Sequence, residues 1–122
     1  MTFGEYLRSK RKIRNIRMVK LAELLGISPS YLSSMESGSR SAPSFETLRK
    51  MADLLEMNTS ERYCLYDLAA ETKTPRTLSD DLNEYIYRIP HLRDVLRSSM
   101  ECGLTEKEWN KIEEFIKKNY LI

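Results

Sequence analysis

The stretch Leu21–Gly38, which reads LAELLGISPSYLSSMESG, decides the fold of this chain. Its first part predicts a short helix over about Met18–Leu25. Gly26 follows at once, and glycine takes up the left-handed backbone conformation that ends a helix at little cost. The chain is therefore expected to turn sharply at Gly26. Four residues of this helix are expected to face inward: Leu21, Ala22, Leu24 and Leu25.

A second helix is predicted directly after the turn. Ser28 is a favoured N-cap residue and Pro29 is favoured at the first helical position, so this helix should run from Pro29 to about Ser37 and stop at Gly38. The glycine in the turn and the small Ala22 allow two short helices to cross steeply. In that geometry the second helix projects outward and can enter a groove.

Helix signals recur along the rest of the chain, and no segment alternates apolar and polar residues with period two, as a half-buried strand would. Favoured N-cap residues predict where further helices begin: Thr2, Ser44, Asn58, Ser79 and Thr105. Pro90 interrupts the helix after Ser79, and another follows it. The chain is therefore predicted to be all α.

The stretch from Glu71 to Thr77 contains Pro75 and is the best candidate for a linker. We expect a first domain over residues 1–72, a linker over residues 73–77 and a C-terminal helical region over residues 78–122. The charges differ between the two halves. Residues 1–50 carry ten basic and four acidic residues, whereas the remainder carries ten basic and fourteen acidic residues. A basic half suits a phosphate-binding surface, although a solvated helix face explains the charge alone equally well.

Composition also argues against several classes of protein. No apolar run approaches the roughly 20 residues of a membrane span, so we expect a cytoplasmic protein with no membrane contact. Cys64 and Cys102 are far apart in apolar helical patterns, where buried reduced thiols are the ordinary interpretation and a disulfide is the exception. His91 is the single histidine, and no motif supports a catalytic triad, a metal site or a phosphate loop. We therefore expect no enzymatic activity, metal or cofactor.

Together with Arg40 and Pro43, the stretch Leu21–Gly38 resembles the Cro/cI-type (Xre-like) helix-turn-helix family. The likeness covers about Phe3–Met57. It implies a five-helix lambda-repressor-like DNA-binding domain followed by a small C-terminal helical region. It also implies that the helix from Pro29 is a recognition helix, whose first residues meet base edges in the major groove.

The resemblance implies contacts to bases or the adjacent backbone from four residues of that helix: Pro29, Ser30, Tyr31 and Ser34. Arg17 stands where the preceding helix should begin and is expected to bind phosphate, with Lys20 and Arg40 as further candidates. Ser28, the N-cap, completes the predicted DNA-binding set. The face lacks arginine, glutamine and asparagine, so specificity should rest on van der Waals fit, water and DNA shape. Plain exposure of the serines and surface packing of Tyr31 are the alternatives.

Two further expectations concern pairing. In the family, the positions of Arg11 and Glu36 often form a partly buried salt bridge, and we expect that structural pair here. In the C-terminal region one helical face carries Trp109, Ile112, Phe115, Ile116 and Tyr120. This face either closes a small core against Leu92, Val95 and Leu96 or holds two copies together.

These observations predict a sequence-specific regulator of transcription that binds double-stranded DNA, most simply a repressor bound as a homodimer to a palindromic operator. A second interpretation stays open. The same scaffold can serve as a protein-interaction module, as in antitoxins and phage-encoded inhibitors, with or without DNA autoregulation. In that case the C-terminal helices would bind another protein.

Overall fold

The computed structural model describes residues 1–121, and every regular element in this range is an α-helix. The helices are α1 (Phe3–Ile13), α2 (Met18–Leu25), α3 (Pro29–Ser37), α4 (Phe45–Leu54), α5 (Thr59–Glu71), α6 (Asp80–Arg88), α7 (Pro90–Glu101) and α8 (Glu106–Tyr120). The predicted all-α class is confirmed, with five helices before the proline-containing segment and three after it.

The chain divides into two compact units, the first of which is Met1–Asn83. Within it α1 packs against α3 and α5, and α2 packs against α3 and α4. The core is one apolar cluster to which all five helices contribute, and its fully buried large side chains are Phe3, Leu7, Leu21, Leu32, Met35, Met51, Leu55 and Leu65. This core fixes α3 in place, and the outer face of α3 stays in solvent.

A glycine makes the closest approach in this unit possible. Gly4 of α1 lies directly against the end of α3, where a Cβ atom would come within 2.2 Å of the carbonyl oxygen of Glu36. Any side chain there would push the two helices apart, because backbone atoms cannot move aside as a flexible side chain can. Gly4 therefore sets the position of α3 on α1.

The second unit begins at Glu84 and contains the rest of α6 with α7 and α8. No side chain between residues 84 and 121 is buried. Trp109 and Ile112 are half-buried and share an apolar groove with Val95 of α7, whereas Phe115 and Ile116 are 59% and 51% exposed. The aromatic face of α8 is thus covered by α7 at its start and uncovered towards its end.

Two expectations about burial are wrong. Leu24 was expected to face inward but is 47% exposed, because it lies beside the inward face of α2 rather than on it. Cys64 and Cys102 were expected to be buried, and both are free, exposed thiols. The expectation that they do not form a disulfide agrees with the structure.

Candidate nucleic-acid interface

The helix pair α2–α3 has the caps that its sequence predicts. Gly26 takes a positive φ of 71° at the end of α2, and Gly38 takes a φ of 87° at the end of α3. At the start of α3 the Ser28 hydroxyl oxygen accepts a hydrogen bond from the Tyr31 backbone N–H at 3.1 Å. Because Leu32 and Met35 are buried, the opposite face of α3 is turned to solvent.

That outer face is small and polar. Pro29 and Ser30 are exposed and Ser34 is half-buried. The Ser34 hydroxyl donates to the carbonyl oxygen of Ser30 at 2.9 Å, and the hydroxyl oxygens of Ser28 and Ser30 are 3.3 Å apart. These hydroxyls are therefore already oriented by bonds within α3 and its cap, and the Ser34 oxygen, whose hydrogen is donated to Ser30, keeps its lone pairs for a base or a water.

Tyr31 is the one large side chain on this face. It is half-buried, because one side of it packs against the core. The guanidinium carbon of Arg40 lies 5.4 Å from the centre of its ring, a distance typical of a cation–π contact. The Arg40 backbone N–H also donates to the Ser34 carbonyl oxygen at 3.2 Å. Arg40 is thereby held beside the residues of α3 that were predicted to meet DNA.

Two cations flank the start of α2. Arg17 is the N-cap residue; its side chain is exposed and forms no cap hydrogen bond. Its guanidinium is thus free to reach an anion near the first amide groups of the helix. Lys20 lies 3.9 Å from Glu23, but both side chains are more than half exposed. Such a surface pair contributes little, so Lys20 is also available to a phosphate.

The predicted pair of Arg11 and Glu36 is present. The Arg11 guanidinium donates through Nε and NH2 to the two carboxylate oxygens of Glu36 at 2.8 and 2.9 Å, and through NH1 to the carbonyl oxygen of Ile16 at 3.0 Å. Both side chains are about nine-tenths buried. This bidentate pair joins α1 to α3 and neutralises the charge of Glu36, a residue of the helix that was predicted to meet DNA.

The structure places two more cations beside the predicted set. Lys12 and Arg17 line one surface depression at the α1–α2 turn, and Arg8 shares another with Ser33 and Ser37 of α3. Arg8 and Lys12 are four residues apart on α1, so one helical face carries both. This spacing was visible in the sequence, but only the packing of α1 on α3 shows that the face borders the interface.

The clearest shifts in pKa lie away from this surface, between α1 and α5. Lys10 Nζ donates to Glu61 Oε2 at 2.5 Å, and this bond is the main reason why the pKa of Glu61 lies below its ordinary value. Burial, followed by the neighbouring Cys64, raises the pKa of Tyr6 to about 12. The Tyr6 hydroxyl donates to the carbonyl oxygen of Glu61 at 3.3 Å. These groups join α1 to α5 and so support the fold.

Within residues 1–121, no group of three or more histidine, cysteine or acidic side chains is placed to hold a metal ion. None of the helices in the described part of the chain has the length and apolar character that a membrane span requires. The eight predicted DNA-binding residues all lie in α2, in α3 or at their flanking turns. Their contacts with DNA stay a prediction.

Comparison with known proteins gives matches that include this part of the chain. The profile of the helix-turn-helix family matches residues 7–61. The HTH-type transcriptional regulator SinR of Bacillus subtilis (strain 168) is 25% identical over 114 residues, which are 93% of this chain and 91% of SinR. The HTH-type transcriptional regulator SlrR of the same organism is 34% identical over 98 residues, which are 80% of this chain and 59% of SlrR.

A solved structure of the SinR protein in complex with the SinI protein aligns with 95% of each chain, at 24% sequence identity and a TM-score of 0.49.

Proposed function

This chain belongs to the Cro/cI-type (Xre-like) helix-turn-helix family of transcriptional regulators, and from that premise we propose that it is a repressor that binds a palindromic operator as a homodimer. It is not an enzyme, as its sequence predicts, since the relatives are regulators of transcription. In this proposal residues 1–72 bind double-stranded DNA, residues 78–122 hold two copies together and residues 73–77 link the two parts, although Lys73 is bonded to Ala42 and the first compact unit extends to Asn83. Because its ligand is DNA, the protein would act in the cytoplasm.

One observation carries the DNA-binding part of the proposal. The outer face of α3 starts with Pro29, Ser30 and Tyr31, while its inner face is locked into the core by Leu32 and Met35. Exposed cations precede and follow the helix pair in the chain, at Arg17 before α2 and at Arg40 after α3. Cations that flank a small polar helix face are what a duplex requires, because phosphates position the protein and base edges are read between them.

The homodimer is supported by the second unit. Its helices bury no side chain by themselves, and the end of α8 presents Phe115, Ile116 and Tyr120 to solvent. Aromatic residues are enriched at protein interfaces, and a single helix-turn-helix gains from pairing because two recognition helices double its base contacts. Residues 84–122 carry seven basic and seven acidic residues, so this unit lacks the excess of positive charge that residues 1–50 have and that favours a duplex.

The same exposed face fits the second candidate, a complex with a different protein. The two candidates differ in what the purified chain does alone, since a homodimer needs no second protein. Sedimentation of the purified chain therefore separates them.

The experiment that tests the DNA-binding proposal is a salt series with Arg17→Ala. If Arg17 neutralises a phosphate, the slope of log K against log salt should flatten by about one unit, and affinity for specific and random duplexes should fall together. Arg97→Ala is the matched control, because Arg97 is an exposed arginine on α7. An Arg17→Ala variant with unchanged slope and affinity would remove Arg17 from the interface.

A further inference from the structure

The loop between α3 and α4 is hydrogen-bonded to residues at the C-terminal end of α5. The backbone N–H of Ala42 donates to Thr72 Oγ1 at 2.9 Å, and the carbonyl oxygen of Ala42 accepts from Lys73 Nζ at 2.7 Å. Ala42 is buried, so both of its backbone polar groups need partners within the protein. Two side chains that are adjacent in sequence supply both partners. We call this arrangement the Ala42 clamp.

Thr72 is itself held in place. Its hydroxyl donates to the carbonyl oxygen of Ala69 at 2.7 Å, so the hydroxyl hydrogen is used there and a lone pair remains for the Ala42 N–H. Thr72 is also the C-cap residue of α5. The clamp is therefore anchored to the last turn of a helix that contributes Leu65 and Ala69 to the core.

The other end of the same loop carries a predicted DNA contact. Arg40 precedes Ala42 by two residues, its backbone N–H donates to the Ser34 carbonyl oxygen, and its guanidinium lies over the Tyr31 ring. The loop is thus fixed to α3 at Arg40 and to α5 at Ala42. With both anchor points fixed, the short backbone between them has little freedom to carry the guanidinium away from Tyr31.

We infer that Thr72 and Lys73 are positioning residues for DNA binding, because through Ala42 they hold Arg40 over Tyr31 and beside the recognition helix. The inference rests on the proposed function, since it takes Arg40 as a DNA contact. A guanidinium that is already in place loses less freedom on binding than one on a loose loop. Residues that touch no DNA therefore contribute to the affinity for DNA.

The test uses the full chain and a duplex selected from a random library with the unaltered protein. Thr72→Val keeps the shape of the side chain and removes the hydroxyl, so the affinity for that duplex should fall about threefold to tenfold, the range of one lost hydrogen bond. Thr72→Ser restores the hydroxyl and should bind nearly as tightly as the unaltered protein. Exchange of the Ala42 amide hydrogen should be faster in Thr72→Val than in Thr72→Ser.

Lys73 has its own pair of variants. Lys73→Met should weaken binding by a similar factor. Lys50→Met is the matched control, because Lys50 is an exposed lysine on α4 and the same charge is lost. An equal loss in the two variants would mean that Lys73 acts only through its charge and is not a positioning residue. If Thr72→Val proves too unstable to assay, Lys73→Met against Lys50→Met decides the inference.

A double-mutant cycle shows whether the clamp acts through Arg40. In an Arg40→Ala background, Thr72→Val should have no further effect on DNA affinity, since the residue that it positions is gone. Losses that simply add would overturn the inference, as would a Thr72→Val variant that binds as tightly as the unaltered protein. If Arg40→Ala alone changes nothing, the clamp has no DNA contact to position, while reading by α3 stands independently.

Discussion

At the start of α3, small hydroxyl side chains stand where longer side chains are the usual readers of guanine and adenine. The hydroxyl hydrogen of Ser34 is already committed to the carbonyl oxygen of Ser30, and the Ser28 oxygen caps the helix. Tyr31 is different, because the exposed part of its ring can touch a thymine methyl group and its hydroxyl can reach a phosphate. Tyr31 is therefore expected to contribute most to sequence discrimination on this face.

Replacing this tyrosine tests that assignment. Tyr31→Ala should relax base preference at one or two operator positions, at a cost of about 1 to 3 kcal/mol each, and should lower the affinity for random DNA less. Competition binding against single-base operator variants measures the effect. Tyr63→Ala is the matched control, because Tyr63 is an exposed tyrosine on α5. Equal losses on specific and random duplexes would assign Tyr31 to the DNA backbone instead.

Among individual residues, the sequence predicted those whose partners follow from the family pattern. The pair of Arg11 and Glu36 is the clearest case. The contact of Arg40 with Tyr31 was not predicted, because it depends on the path of an irregular loop. The Ala42 clamp was not predicted either, since its bonds join residues 30 and 31 positions apart in the chain. Neither helix propensity nor the period of apolar residues carries information about contacts between residues so far apart in the chain.

At the scale of elements, the bounds of α2 and α3 agree with prediction because local chemistry sets them. A glycine with positive φ ends each helix, and Ser28 with Pro29 begins α3. The errors have a different origin. The apolar pattern of a helix shows which residues share a face. How many of those residues are buried depends on the helices that pack against that face. Leu24, Cys64 and Cys102 are exposed because no neighbouring helix covers them.

Glu61 makes the attachment of α5 to α1 dependent on pH. One carboxylate oxygen accepts from Lys10, and the other accepts from the Asn58 backbone N–H at 2.9 Å to complete a capping box. Both bonds favour the charged form, so the pKa of Glu61 is lower in the folded protein than its ordinary value of 4.5. This stabilisation is present above pH 4.5 and is lost as the pH falls through the lowered pKa.

Thermal unfolding of Glu61→Gln measures this contribution. The variant should have a lower Tm than the unaltered protein at pH 7, and the difference should shrink as the pH drops below 4.5, because the unaltered side chain then also becomes neutral. Glu46→Gln serves as the control, since Glu46 is exposed on α4 and forms no ion pair among the described residues. A difference in Tm that is the same at pH 7 and pH 3 would show that the charge of Glu61 does not matter.

At the scale of the whole molecule, the two parts differ in charge and in burial, and these differences suit them to different roles. The first 50 residues carry ten basic and four acidic residues, and their helices enclose a core; the helices from Glu84 onward bury no side chain. A basic surface with a rigid helix is suited to a duplex, and a unit with no net positive charge and with exposed aromatic residues is suited to a protein. The sequence predicted a basic first part from its composition and an apolar face on α8 from its periodicity. It could not predict which residues of α8 stay uncovered.

Disrupting the end of α8 tests the role of the second unit. Ile116→Glu places a charge in the proposed interface, so the variant should sediment as a monomer and should bind a palindromic duplex more weakly than the unaltered protein. Asn110→Glu adds the same charge at another exposed position of α8 and should remain a dimer. An Ile116→Glu variant that still dimerises, with unchanged affinity, would exclude Ile116 from the interface.

Selection from a random DNA library with the full, unaltered chain shows whether the protein reads DNA sequence as a dimer. We predict that the selected duplexes share two inverted half-sites whose centres are about 34 Å apart, the spacing of one helical turn between paired recognition helices. Selected sequences that share no motif, and that bind no more tightly than the starting library, would contradict this prediction.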